Sequence, residues 1–151
     1  MQLTWNKYIK ALDQIVDHFK DERIDVIIGL IRGGLIPAVY LSHYLDKPML
    51  PFNPHILHAN SAPRNLLMAL PISPEVVRNI LIIDDISDTG KTLEKCYEFF
   101  TKSGFNCKTT AVYINMKTTI FKPDFTVYNS RGKWVMFPYE KEKEKIKNET
   151  N

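Results

Sequence analysis

Cysteine is scarce in this 151-residue chain, which has only Cys96 and Cys107. Two thiols cannot build a disulfide framework, and these two stand too far apart for a metal knuckle. No apolar run approaches the roughly 18 residues that a membrane helix needs, and the opening "MQLTWNKYIK" has no signal-peptide core. Charge of one sign is not in large excess. The formal net charge is +3, and much of the surplus lysine sits in "EKEKEKIKN" near the end, so no nucleic-acid face is defined. Internal repeats are absent. These absences leave an expected reduced, cytoplasmic protein with no membrane partner and no nucleic-acid partner. Hydrophobic residues at 44% and charged residues at 25% match ordinary globular composition. The length fits one domain with a real core.

Apolar and turn-forming residues divide the chain into alternating elements. Trp5, Ile9, Leu12, Ile15, Val16 and Phe19 recur at helical spacing behind Thr4, a natural N-cap. "DVIIGLI" (25–31) reads as a buried strand, and "LIPAVYLSHYL" (35–45) as a helix with Pro37 in its first turn. "KPMLPF" (47–52) predicts a short strand, residues 53–64 an exposed loop, and "NLLMAL" (65–70) another strand. The clearest buried strand is "NILIID" (79–84), followed by a helix over 90–102 with Leu93, Tyr97 and Phe100 on one face. "TTAVYI" (109–114) and "FTVY" (125–128) supply further strands, and "WVMFP" (134–138) a last extended piece. The residues from 141 on form a charged tail. Alternation of strand and helix predicts an α/β fold, a mostly parallel twisted sheet flanked by helices.

The stretch "ILIIDDISDTGKTLEK" (80–95) carries the chemistry. Its Gly-Lys-Thr invites a Walker reading, but the glycine that should precede it by four intervening residues is Asp85, which would repel a polyphosphate. A division of labour fits better. Ligands of open parallel sheets sit beyond the carboxyl ends of the strands. Asp84 and Asp85 emerge there, suited to the cis hydroxyls of a ribose or to Mg²⁺, a hard cation that keeps several waters. Ser87, Asp88, Thr89, Gly90, Lys91 and Thr92 make the turn into the next helix, where free N–H groups and the helix dipole favour a phosphate. The pattern describes a sugar phosphate. Earlier, "GLIRGGLIPA" (29–38) offers Arg32 with the open backbone of Gly33 and Gly34, either a pyrophosphate site or a tight strand-to-helix turn.

Four apolar residues, two acids, two spacers and Asp-Thr-Gly-x-Thr resemble the signature of the type I phosphoribosyltransferases, which use phosphoribosyl pyrophosphate (PRPP). The resemblance covers nearly the whole chain. It implies a domain over 1–140, with a small hood built from residues 1–8 and 115–140, and a separate tail at 141–151. It also implies that Asp84 and Asp85 hold the ribose hydroxyls, that 87–92 hold the 5′-phosphate, and that Arg32, Gly33 and Gly34 hold the pyrophosphate. The family's pyrophosphate loop often has a non-proline cis peptide, expected here near Ile31–Arg32. Asp88, Asp85 and Arg32 become the catalytic set. Homo-oligomers, dimers or tetramers, are common among relatives of this size.

The closing "NMKTTIFKPDFTVYNSRGKWVMFPYE" (115–140) resembles the base-recognition end of the xanthine-guanine and related 6-oxopurine enzymes. By that resemblance Lys117 donates to the 6-oxo group, Trp134 stacks on the ring, backbone at Val135 reads the 2-position, and Glu140 joins Asp84 and Asp85 around Mg²⁺. Lys122, in "KPDF", competes with Lys117. Two departures stand out. The 53–70 loop lacks the usual Ser-Tyr pair, with His55, His58, Asn60 and Arg64 available instead, and Met136 stands where bacterial relatives have an acid. The expected function is transfer of ribose 5-phosphate from PRPP to guanine, xanthine or hypoxanthine. The alternative is a catalytically weak PRPP- or nucleotide-binding regulator, or an RNA-binding one, on the same fold.

Overall fold

The computed structural model describes residues 1–56, Leu67 and residues 75–140. In chain order the elements are α1 (Trp5–Phe19), β1 (Val26–Leu30), α2 (Leu35–Leu45), β2 (Met49–Phe52), a 3₁₀ turn (Pro54–Ile56), β3 (Asn79–Ser87), α3 (Lys91–Thr101), β4 (Asn106–Ile114) and β5 (Phe125–Asn129). The strands form one sheet in the order β2-β1-β3-β4-β5, and every pairing is parallel. This is the expected α/β architecture.

Successive side chains of a strand face opposite sides of the sheet, and here that alternation makes two cores. Ile27 of β1, Leu81 and Ile83 of β3 and Val112 of β4 pack on α1 and α2. Val26, Ile28, Ile80 and Ile82 pack on α3 through Leu93, Cys96 and Phe100. Strands covered on both faces read as continuous apolar runs, which is why "VIIGL" and "NILII" were legible.

Several boundaries differ from the sequence reading. Strand β3 does not stop at Asp84 but runs on to Ser87, because β4 continues beside it: Ile86 pairs with Tyr113 and Ser87 with Ile114. In α1 the buried stripe is Tyr8, Ala11, Leu12, Ile15 and Phe19, while Trp5 remains 51% exposed. Thr4 caps the helix as expected, its Oγ1 accepting from the Lys7 amide at 3.3 Å. The strand expected over 65–70 lies outside the described residues except at Leu67, which is helical and buried. A short apolar run satisfies either period. The tail from residue 141 also lies outside them.

The two ends of the described chain meet beside the sheet. Gln2 bridges to Met136, the Leu3 amide donates to the Met136 carbonyl, and the Met136 amide donates to the Met1 carbonyl, both at 2.9 Å.

Candidate functional site

Alternation continues past the core and sorts the acids of β3. Asp84 follows Ile80 and Ile82 toward the α3 side, and Asp85 follows Leu81 and Ile83 toward α2. Three hollows meet at this carboxyl edge.

The first, about 100 Å³, is lined by Asp84, Ser87, Asp88, Thr89, Gly90 and Thr92, with Ile86 and Leu93 behind them. It is the mouth of α3. The first amides of a helix lack intrahelical acceptors, and the cap residue, Gly90, supplies no side chain to satisfy them. Gly90 has φ 80°, and a Cβ there would stand 2.7 Å from both the Phe121 carbonyl and Thr119 Oγ1. Only glycine serves at this position. Lys91 donates its place in the helix rather than its side chain, which is exposed and outside the lining.

The second hollow, about 540 Å³, is lined by Arg32, Gly33, Ile36, Asp85, Tyr139 and Glu140. The Ile31–Arg32 peptide is cis. Arg32 is exposed and has no ion pair among the described residues. Gly33 lies flat against the Asp85 carboxylate, so that a Cβ would collide with it. Gly34 is buried and outside the lining, and a Cβ there would collide with the Ile83 carbonyl and the Leu30 amide. Tyr139 donates its hydroxyl proton to Asp85 Oδ2 at 2.9 Å.

Burial is the main influence on both strand acids, and it favours their neutral forms. Asp84 is pushed well above the ordinary carboxylate range, by burial first and then by the charge of Asp85. Asp85 is also raised by burial, against the lowering effect of the Tyr139 hydrogen bond, with the Glu140 charge adding to the rise. Burial and the Asp85 charge together raise the Tyr139 hydroxyl.

The third hollow, about 260 Å³, lies between Asp85 and Asp88 on one side and Trp134, Val135, Gly132 and Lys133 on the other. Trp134 is 81% exposed, an indole face open to the hollow instead of the core. Asp88 is held by Asn115, whose Nδ2 donates to Oδ1 at 2.8 Å, and by the Thr118 hydroxyl at 3.0 Å. Lys117 does not line the hollow but lies along its wall, where a Cβ on Gly132 would stand 3.1 Å from its Cδ. Lys122 is exposed and outside the lining.

Asp84, Asp85, Ser87, Asp88, Thr89, Gly90, Thr92, Arg32, Gly33, Trp134, Val135 and Glu140 therefore converge on these three connected hollows. Sequence reasoning missed Tyr139, Asn115, Thr118, Ser130 and Lys133. Of these, Tyr139 precedes Glu140 and Asn115 follows β4, so adjacency to an expected site residue and to a strand's carboxyl end were the available signals. In the 53–70 loop only His55 among the four substitutes is described; its amide donates to Asn53 Oδ1 at 3.0 Å, and His58, Asn60 and Arg64 lie outside the described residues.

A parallel sheet with an acid pair, an open helix mouth and an arginine beside glycines at one edge fits a sugar-phosphate-handling enzyme of the α/β class. The profile of the phosphoribosyl transferase domain matches residues 4–140, and the chain belongs to that family, the phosphoribosyltransferases. A xanthine-guanine phosphoribosyltransferase from Idiomarina loihiensis is 26% identical over 141 residues, covering 91% of this chain and 85% of that one. The crystal structure of a purine phosphoribosyltransferase from Pyrococcus horikoshii is 33% identical, with a TM-score of 0.74 over 93% of this chain and 94% of that one. A Helicobacter pylori xanthine-guanine-hypoxanthine phosphoribosyltransferase shares the fold at 18% identity, with a TM-score of 0.71 and 90% of each chain covered.

Proposed function

We propose that this protein transfers the ribose 5-phosphate of PRPP to a 6-oxopurine base, releasing pyrophosphate, as a cytoplasmic homo-oligomeric salvage enzyme with Mg²⁺. The observation that carries the reading is the meeting of three chemically distinct hollows at the acids of β3. A phosphate suits the α3 mouth, where amides without intrahelical acceptors and the helix dipole favour an anion. A pyrophosphate suits the larger hollow, which has the Arg32 guanidinium, without an ion pair among the described residues, and the side-chain-free backbone of Gly33. A flat heterocycle suits the open indole of Trp134, with Lys117 as the cation for its 6-oxo group and the Val135 backbone beside the 2-position. The domain comprises residues 1–140, with the hood from 1–8 and 115–140.

The donor set fits a magnesium ion. Asp85 and Glu140 share one hollow, and Asp84 adjoins Asp85. Among the described residues no three acids, histidines or cysteines stand close enough to hold an ion by themselves, so a magnesium ion here would draw the rest of its shell from water and phosphate oxygens. When bound, Mg²⁺ supplies positive charge against the departing pyrophosphate.

The chain's own residues do the rest. As the C1′–O bond to pyrophosphate breaks and the bond to the purine nitrogen forms, positive charge grows on the ribose. Asp85 and Asp88 stabilise it electrostatically. Arg32 takes the charge developing on the leaving group. Asp88 accepts the proton that the purine nitrogen sheds. A spectrophotometric assay with PRPP, Mg²⁺ and hypoxanthine, guanine, xanthine, adenine and uracil tests the reading. Turnover of an oxopurine alone is the expected result. Turnover confined to adenine or uracil overturns the base assignment, and PRPP binding without turnover makes the protein a sensor.

A further inference from the structure

We propose that Asn115 is a positioning residue that locks together the two halves of the base site, its amide holding Asp88 on one side and the backbone of Lys117 on the other. The inference rests on the proposed function for the roles of those two residues, and on geometry for the link between them.

Asn115 is the first residue after β4 and is only 7% exposed. Its Nδ2 donates to Asp88 Oδ1 at 2.8 Å, while its Oδ1 accepts from the Lys117 amide at 3.2 Å. These partners fix the amide's orientation. Turned over, it would face a carboxylate with an oxygen and an N–H with an amino group. Its backbone is equally constrained: the Asn115 amide donates to the Ser87 carbonyl at 2.9 Å, and its carbonyl accepts from Thr118 at 3.1 Å and Thr119 at 3.0 Å. A side chain held at both ends on a strand terminus can hold others.

The choice of an amide matters. A lysine or arginine at this position would also donate to Asp88 but would neutralise it. Asparagine orients the carboxylate and leaves its full negative charge for the cationic transition state. Thr118 is a weaker clamp, since its single hydroxyl proton is divided between Asp88 Oδ1 at 3.0 Å and the Asp88 carbonyl at 2.9 Å. Both donors meet Oδ1, and Oδ2 accepts no hydrogen bond among the described residues. Asn115 thereby selects Oδ2 as the oxygen that receives the purine's proton. The same amide sets the start of the Lys117 turn, so a base seated against Lys117 is seated in register with that oxygen.

Two substitutions test this. Asn115→Asp keeps the shape and the Lys117 acceptor but turns the donor facing Asp88 into a second carboxylate; Asn115→Ala removes both arms without adding charge. Both should lower kcat about 100-fold while leaving KM for PRPP within about threefold of wild type. Thr118→Val, which removes the second donor to Asp88, should lose about tenfold in kcat. Melting by circular dichroism verifies that each variant folds, and Asn115→Ala decides if Asn115→Asp does not. Calorimetry supplies a readout independent of turnover: GMP, IMP or XMP should bind about tenfold more weakly to Asn115→Ala, and PRPP with Mg²⁺ unchanged. A folded Asn115→Ala with wild-type kcat, or with wild-type nucleotide affinity, overturns the inference. If wild type neither turns over an oxopurine nor binds any of the three nucleotides, the proposed function itself has failed and takes this inference with it.

Discussion

Asp84 is the residue at which stability and function should be most openly opposed. Burial is the larger influence on it and the Asp85 carboxylate the next, and both disfavour its ionised form. One contact works the other way, because the Asp85 amide donates to Asp84 Oδ1 at 2.9 Å. Asparagine keeps that acceptor and the shape while removing the charge. Asp84→Asn is therefore expected to stabilise the ligand-free protein at neutral pH. Each tenfold bias toward the protonated form costs the ionised folded state about 1.4 kcal/mol, and relief of that order raises the melting midpoint by about 3–6 °C in a chain of this length.

The pH dependence supplies the stricter test. A carboxyl whose affinity for a proton is higher folded than unfolded contributes stability that is complete below the unfolded value, near about 3.9. That contribution disappears as pH rises through the folded value. The Asp84→Asn protein has no such group, so the two melting midpoints should converge on acidification and separate toward neutrality. Circular dichroism melts between about pH 5 and 8, without Mg²⁺ or PRPP, measure this. The same variant should bind PRPP at least about tenfold more weakly in calorimetry, since a hydroxyl-accepting charge is gone. A variant that melts below wild type at neutral pH, or a gap that does not change with pH, would refute the reasoning.

Three further outcomes are expected. Asp25 is half-buried, which opposes its charge, but hydrogen bonds from the Asn79 and Arg78 amides and the Asn79 side chain, together with Arg23, lower it overall. Asp25→Ala should lose about 1–3 kcal/mol in urea titrations at neutral pH, a difference that fades as wild type is acidified through the lowered carboxyl. Gly33→Ala would drive a methyl group into the Asp85 carboxylate, so PRPP affinity should fall by more than about tenfold while the fold survives; unchanged affinity would show that the second hollow does not take the pyrophosphate. Burial pushes the thiols of Cys96 and Cys107 up to about 12, so neither should react with a disulfide reagent near about pH 8 until urea unfolds the chain.

What could be read from sequence follows from how each signal is written. Strands covered on both faces declare themselves as unbroken apolar runs, and β1 and β3 were found that way. The last part of β3 was not, because Asp84 and Asp85 interrupt the run; only the ladder with β4, from Ile86 to Tyr113 and Ser87 to Ile114, reveals that the strand continues. The helix-mouth motif is local, so residues 87–92 could be located at the start of α3 from adjacency alone. Asn115, Tyr139 and Thr118 are different. Each acts on an acid at least 27 residues away in the chain, and no periodicity or spacing encodes such a partnership.

The extension of β3 also changes what the two adjacent acids can do. Past the end of a strand they could turn together onto one pair of hydroxyls, as the sequence reading supposed. Within the strand, alternation separates them: Asp84 adjoins the phosphate-sized hollow on the α3 side, and Asp85 the larger hollow with Arg32 and Gly33. Under the proposed function, a sugar reaching from one hollow to the other would pass both acids, each on its own side. Asp88, three residues on, borders the first and third hollows. On the proposed reading, one five-residue stretch borders the hollows for phosphate, leaving group and base alike. Inserting one residue between Asp85 and Asp88 would keep every side chain yet put Asp88 out of reach of Asn115, and it should abolish turnover while the helix mouth still binds phosphate.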